Sequence, residues 1–158
     1  MIKKIEHLGI AVASIDASLP VFEKLLGKKM YKTEIIESEA VKTVFIELGE
    51  SKIELLEATD PSSSIAKFLK KNREGFHHLA LDVEDIEFEI ARLTEEGFTL
   101  IHQTPKAGAD NKKIAFLHPK STNGMLIELC EEFVLFQKVY LNLIPSTVAI
   151  YFPHTSQF

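Results

Sequence analysis

An apolar run that begins with histidine occurs twice in the chain, as EHLGIAV at 6–12 and HHLALDV at 77–83. Both runs are rich in residues that favour strands, and a helical pattern follows each of them. Three further strand patterns follow each helix. The pattern therefore predicts an internal repeat, in which the order β-α-β-β-β occurs twice.

Capping residues locate the two helices. SIDASLPVFEKLLG predicts a first helix with Ser18 as N-cap, Pro20 in the first turn and Gly27 at the end. VEDIEFEIARLTEEG predicts a second helix, which Asp85 caps and Gly97 ends. The expected buried stripe of this second helix consists of Ile86, Ile90 and Leu93.

The strand patterns complete the two repeats. They are KMYKTEII, VKTVFIEL and KIELLEA in the first repeat, and FTLIHQT, KKIAFLH and GMLIELC in the second. Between the repeats, DPSSSIAKFLKKNREG predicts a connecting helix. We therefore expect one α+β domain over residues 1–131, with module one at 2–58, the linker helix at 59–75 and module two at 76–131. Residues 132–158 form a C-terminal extension to which the pattern assigns no role.

Four polar residues occupy matching positions in the two repeats. Glu54 and Glu128 each lie in mid-strand between large apolar neighbours, where a carboxylate is costly unless it is paired or coordinated. His7 and His78 begin the equivalent first strands. Two half-sheets, each covered by a helix on one face, form a curved mixed sheet around a trough. The sequence therefore predicts a His₂Glu₂ metal site in that trough, suited to a divalent transition metal.

Other reactive residues are expected to have ordinary structural roles. Strand alternation places His77 on the face opposite His78, which indicates a structural histidine. His118 is expected in a loop, and Cys130 as a small buried strand residue. A solvated basic cluster near the last hairpin, which could also meet phosphates, consists of Lys112, Lys113 and Lys120.

Composition excludes several classes of function. The 158 residues carry a formal net charge of −5, which argues against nucleic-acid binding and against anionic membranes. The single cysteine precludes an internal disulfide and suits a reducing compartment. The N-terminus lacks a signal-peptide pattern, and no apolar run reaches the ~18 residues of a membrane span. We expect a cytoplasmic protein.

The doubled pattern with these four positions resembles the vicinal oxygen chelate (glyoxalase/bleomycin-resistance) superfamily. Within it, EHLGIAV, FHHLAL and KKIAFLHPKSTNGMLIELCE are similar to the methylmalonyl-CoA epimerase family. The resemblance implies a divalent metal, Co²⁺ first and Zn²⁺, Ni²⁺ or Mn²⁺ as alternatives, bound by His7, His78 and Glu128. Glu54 matches the family's fourth ligand, which is Gln or Glu. A homodimer and an acyl-CoA substrate, whose C2 proton changes face, are also implied.

The family pattern implies two acid/base groups, and one of them is missing here. Several bacterial members carry a glutamate early in the third strand, where this chain has Thr43. Glu47, four residues further with the same parity, is the candidate for the missing base. Glu128 is expected to act as the other base and as a ligand.

Two alternative functions use the same fold. A glyoxalase I-like enzyme would isomerise a glutathione hemithioacetal with the same ligand types. A non-catalytic small-molecule-binding module of the superfamily typically lacks the metal ligands.

Overall fold

The strands described by this computed structural model, which covers residues 1–133, form one curved mixed sheet. The strands are β1 (Ile2–Ala11), β2 (Lys32–Ile36), β3 (Val41–Leu48), β4 (Ser51–Ala58), β5 (Gly75–Val83), β6 (Lys106–Ala107), β7 (Lys112–Leu117) and β8 (Leu126–Glu132). The helices are α1 (Ile15–Leu26), α2 (Ser64–Lys71) and α3 (Ile86–Glu95). The strand order is β2-β3-β4-β1-β5-β8-β7-β6. This confirms the predicted α+β fold of two β-α-β-β-β repeats. The predicted C-terminal extension at 132–158 lies outside the described residues from residue 134 onwards.

The two repeats have the same strand registers. β1 pairs in parallel with β4, and Gly9 lies beside Glu54. β5 pairs in parallel with β8, and Ala80 lies beside Glu128, at positions 71 and 74 residues further along the chain. The central pair, β1 with β5, is antiparallel. The glutamates of the two repeats therefore flank the same central strand pair on equivalent sides.

Two β-bulges in the central pair occur directly before the repeated histidines. Glu6 in β1 and His77 in β5 each have no partner residue on the opposite strand. A bulge breaks the alternation of side chains and redirects the extra residue. Both extra residues line the same cavity as His7 and His78. The prediction that His77 lies on the face opposite His78 is therefore wrong.

Each half of the sheet is covered by its own helix on the convex face. Ile15 of α1 packs against Val44, Ile53 and Leu55 in the first half. The predicted stripe of α3 is buried against the second half and consists of Ile86, Ile90 and Leu93. Because Ile53 and Leu55 face this core, Glu54 between them faces the trough.

The first helix begins earlier than the sequence predicts. Ser14, not Ser18, is the N-cap, and its hydroxyl accepts the Ala17 N–H at 3.3 Å. The buried Ile15 fixes this earlier start, so that Pro20 lies inside the helix. Gly27 ends the helix with a φ of 65°, as predicted.

The predicted strand FTLIHQT forms only in part. Leu100 makes an isolated bridge with Leu117, and the Ile101 N–H donates to the Phe116 carbonyl at 2.8 Å. The chain then leaves the sheet and rejoins it as the two-residue β6. Pro105, which has no N–H to donate, lies in the interruption.

None of the helices within residues 1–133 combines the length and apolar composition needed to cross a membrane.

Substitution of Gly9 tests how closely β1 and β5, the central strand pair, are packed. A Cβ atom at Gly9 would lie 2.1 Å from Cε1 of His78, so we expect Gly9→Ala to displace this ring and to cost about 1–3 kcal/mol of stability. Gly49→Ala is the control, because Gly49 has a φ of 64° but open space around it. This control should lose a similar ~1–2 kcal/mol through backbone strain alone.

The two variants should differ in metal affinity, measured by Co²⁺ titration beside chemical denaturation. We expect only Gly9→Ala to bind the ion more weakly than the unsubstituted protein. Equal Co²⁺ affinity of both variants would contradict the packing described for His78.

Candidate metal centre

The four predicted ligands converge on the concave face of the sheet. Nε2 of His7 lies 2.9 Å from Nε2 of His78, 3.1 Å from Oε2 of Glu54 and 3.3 Å from Oε2 of Glu128. Nε2 of His78 lies 3.5 Å from the Glu54 atom and 3.0 Å from the Glu128 atom. All four residues are buried. Four strands, β1, β4, β5 and β8, thus contribute one side chain each.

The five separations that join the imidazoles to each other and to each carboxylate fit a shared metal ion, and His7, Glu54 and His78 offer three ligand atoms within 4.8 Å of one another. Two ligand atoms at about 2.0–2.2 Å from one ion are about 3.0–3.5 Å apart in tetrahedral or octahedral geometry. Imidazole nitrogen and carboxylate oxygen are ligand types that divalent first-row metals accept. The residues present therefore fit the divalent ion that the superfamily resemblance implies.

The four clustered residues shift one another's pKa values. Burial opposes protonation of His78, but hydrogen bonds with Glu128 and Glu54 outweigh it and raise the pKa to about 9. The pKa of His7 is raised in the same way against burial. Burial would raise the pKa of both glutamates, but the two histidines lower it. A divalent ion held by these residues would supply positive charge to the buried carboxylates in place of imidazole protons.

The second ring nitrogen of each histidine contacts the residue before it. Nδ1 of His7 is hydrogen-bonded to the Glu6 carboxylate, and Nδ1 of His78 lies 2.9 Å from Nδ1 of His77. Burial and the charge of His78 lower the pKa of His77 to about 4, so that His77 is neutral and accepts the His78 N–H. These contacts keep a proton on Nδ1 and direct Nε2 towards the cluster.

Sequence reasoning missed Glu6 and His77 as partners of the candidate ligands. Both follow from bulges, which strand alternation does not reveal. The available signal was the pair of polar residues, EH and HH, at the start of each repeat.

Thr43, which occupies the position of the family's missing glutamate, and Glu47, the candidate for the second base, lie in different surroundings. Thr43 is fully buried, and its hydroxyl donates to Oε1 of Glu54 at 2.8 Å. Glu47 is exposed near the end of β3 and does not line the cavity. The structure therefore brings Thr43 to the cluster and does not bring Glu47 there.

The remaining histidine and cysteine of interest have separate environments. His118 caps the short turn Pro119–Ser121 by accepting the Lys120 N–H at 3.1 Å. Cys130 is buried, and burial raises the pKa of its thiol well above the ordinary value. Glu6, His7 and Cys130 also offer three ligand atoms within 4.8 Å of one another.

Two of the three lysines near the last hairpin are paired with carboxylates. Nζ of Lys112 lies 3.6 Å from Glu6, and Nζ of Lys113 lies 3.2 Å from Glu131. Lys120 is exposed on the turn that His118 caps.

The cluster lies in a cavity of about 240 Å³ with mainly apolar walls. The apolar side chains around it include Ile36, Val41, Phe45, Leu56, Ile114, Phe116 and Leu126. Such a cavity suits a small acyl group held against a polar centre.

A family model described as the glyoxalase/bleomycin resistance protein/dioxygenase superfamily matches residues 6–116. This match covers more than half of the chain and includes three of the four clustered residues. The chain therefore belongs to this superfamily.

Similar relatives within the superfamily are epimerases. The mitochondrial methylmalonyl-CoA epimerase of Dictyostelium discoideum is 39% identical over 132 residues, which cover 83% of this chain and 80% of the relative. The ethylmalonyl-CoA/methylmalonyl-CoA epimerase of Cereibacter sphaeroides is 39% identical over 131 residues, 82% of this chain and 98% of the relative.

A solved structure agrees with these relatives. A variant of the Streptomyces coelicolor methylmalonyl-CoA epimerase in complex with 2-nitronate-propionyl-CoA gives a TM-score of 0.81 at 30% identity, covering 85% of this chain and 98% of that chain. By its similarity to these proteins the chain is an epimerase.

Replacement of one clustered histidine tests the candidate metal centre. We expect His78→Ala to lower Co²⁺ affinity by more than about 100-fold, because loss of a ligand exceeds the 10–100-fold typical of an outer partner. His118→Ala is the matched control and should bind normally. Equilibrium dialysis of both variants provides the measurement, and full Co²⁺ occupancy of His78→Ala would refute the assignment.

Proposed function

We propose that the chain is a metal-dependent epimerase that interconverts the 2R and 2S forms of methylmalonyl-CoA. The observation that carries this proposal is the cluster of two imidazoles and two carboxylates in a mainly apolar cavity. Each imidazole Nε2 atom in it lies within 3.5 Å of an oxygen of each carboxylate. The names of the similar epimerases support the substrate class. Co²⁺ is the proposed ion, and Zn²⁺, Ni²⁺ and Mn²⁺ accept the same ligand types.

The proposed reaction removes a proton from a carbon between a thioester carbonyl and a carboxylate. A divalent ion held by the four clustered residues would stabilise the negative charge that develops on the substrate oxygens as the proton leaves. The four clustered residues are buried beside apolar walls, and the low polarity of such surroundings strengthens electrostatic contacts. The protein's own contribution is to hold the substrate against two buried carboxylates.

Glu128 is the proposed acid/base group for one face of the substrate. Its Oε2 atom lies 3.0 and 3.3 Å from the two imidazole Nε2 atoms, so it is adjacent to any group bound there. Inversion at C2 needs a second group on the other face. Glu54, at the equivalent position of the other repeat, is the proposed second group, and the Thr43 hydroxyl holds it in place. Exposed Glu47 is not proposed for this role.

We also propose a homodimeric, cytoplasmic enzyme with no nucleic-acid or membrane partner. The net charge of −5 supports the absence of nucleic-acid and membrane partners, and the single buried cysteine supports a reducing compartment. The homodimer rests on the family resemblance alone. Its domain would end near residue 131.

The test compares the unsubstituted protein with Glu128→Gln after both have been saturated with Co²⁺. Glutamine retains an oxygen but cannot accept the proton, so we expect epimerisation of methylmalonyl-CoA to fall by about 10²-fold or more. Deuterium uptake at C2 in deuterated water, followed by NMR, separates proton exchange from inversion. Glu47→Gln is the control and should turn over normally.

Three results would count against the proposal. Near-normal epimerisation by metal-replete Glu128→Gln would show that another residue moves the proton. Turnover of a glutathione hemithioacetal, without turnover of methylmalonyl-CoA, would favour the glyoxalase I-like alternative. Absence of both activities in a protein that binds no metal would favour the binding module.

A further inference from the structure

Ion pairs lead from His7 away from the cluster towards the mouth of the cavity. The buried Glu6 carboxylate contacts Nδ1 of His7 through Oε2 and Nζ of Lys52 through Oε1, the latter at 2.5 Å. Nζ of Lys52 also lies 2.5 Å from Oδ2 of Asp110. Three contacts therefore connect a candidate metal ligand to a residue in the loop between β6 and β7.

Asp110 joins the two edges of the sheet. Its carboxylate accepts from Nζ of Lys32 at 2.9 Å and from the Tyr31 hydroxyl at 3.1 Å, and its own N–H donates to Glu34 at 2.7 Å. Lys32 and Glu34 belong to β2, and β2 and β6 are the two ends of the strand order. The curvature of the sheet therefore lets the loop at 108–111 cross the mouth of the trough.

The loop is held in a backbone conformation that non-glycine residues seldom adopt. The φ angles of Asp110 and Asn111 are 52° and 58°. Such left-handed residues persist where the surroundings determine them. The contacts from β2 and Lys52 are such surroundings for Asp110, whereas Asn111 contacts Phe133. Gly108, Ala109 and Asp110 line the cavity.

Among residues 1–133, the second repeat has no such connection. The residue equivalent to Glu6 is His77, and the residue equivalent to Lys52 is Leu126, which has no charge. The ion-pair path is thus a feature of the His7 side alone, and it departs from the symmetry that the cluster itself obeys.

We propose that Glu6 and Lys52 are positioning residues for His7, and that Asp110 couples them to the loop at 108–111. The inference rests on the metal centre of the proposed function but on no particular substrate. A carboxylate that accepts the Nδ1–H fixes the orientation of an imidazole ligand, and Lys52 fixes that carboxylate. Because coupling is reciprocal, an ion bound at Nε2 must in turn favour the loop conformation in which Asp110 contacts Lys52.

The experiment measures Co²⁺ binding and amide hydrogen exchange in the full chain. In the unsubstituted protein, Co²⁺ should slow exchange of the loop amides, among them the Asp110 N–H. Lys52→Met, which keeps the length of the side chain, should lose about 10–100-fold in Co²⁺ affinity and should also lose this metal-dependent protection. Lys52→Arg should restore part of both.

A variant at Asp110 tests whether the ion pairs extend their effect to the loop, and a variant at Lys113 serves as its control. Asp110→Asn is remote from the cluster yet should weaken Co²⁺ binding by several-fold and alter the visible absorption spectrum of the bound ion. Lys113→Met is the control, because its ion pair with Glu131 at 3.2 Å lies outside the path, and it should bind Co²⁺ normally.

Each other outcome is decisive. If Lys52→Met and Asp110→Asn both leave the Co²⁺ affinity and the absorption spectrum unchanged, these ion pairs do not influence the metal centre, and the inference is wrong. If Co²⁺ affinity falls in Glu6→Gln but not in the Lys52 and Asp110 variants, only Glu6 positions His7. That result would overturn the proposed coupling between the metal centre and the loop at 108–111. An unsubstituted protein that binds no Co²⁺ would overturn the proposed function together with this inference, whereas the two preceding outcomes leave the proposed function intact.

Discussion

Burying Glu54 and Glu128 beside His7 and His78 costs free energy that apolar packing alone does not recover. The cost is offset only if the charges meet each other or a shared ion at hydrogen-bond distance, and this requirement constrains the surrounding architecture. The central β1–β5 pair must bring two rings together, which the absence of a side chain at Gly9 and the single methyl of Ala80 allow. The helices must then cover the opposite face, so that apolar neighbours such as Leu55 are buried on the far side.

The bulges add a second requirement to the same strand pair. By displacing the register before each histidine, they bring Glu6 and His77 to the concave face, where each residue contacts the Nδ1 atom that follows it. The two repeats satisfy this requirement differently, with a carboxylate in one and a neutral imidazole in the other. Only the carboxylate can continue to a lysine, and from there to the loop that crosses the cavity. The symmetry of the ligand cluster therefore coexists with an asymmetric supporting structure.

The repeat made much of the fold and the four clustered residues predictable from sequence. Offsets of 71 and 74 residues are the same in the sequence and in the strand registers, so equivalent positions had to meet across the central pair. Local features were harder to predict. A bulge depends on pairing with a distant strand, which is why His77 was assigned to the wrong face. Ser14 and Ser18 are both acceptable caps by type, and only the burial of Ile15 decides between them.

The closure of the trough by Asp110 could not be predicted, because it depends on curvature that brings β2 and the loop before β7 together. The exposed position of Glu47 has a related cause. Strand alternation predicts which face a residue occupies, but it does not predict how far along the strand the cavity extends.

X-ray absorption spectroscopy of the Co²⁺-loaded protein tests the central claim most directly. The account predicts two imidazole ligands, with nitrogen and oxygen neighbours only, at about 2.0–2.2 Å. Cys130 is close enough to Glu6 and His7 to form a competing set of ligands. A sulfur neighbour at about 2.3 Å, with a single imidazole, would show that the ion binds there instead and would contradict the assignment of the metal centre to His7, Glu54, His78 and Glu128.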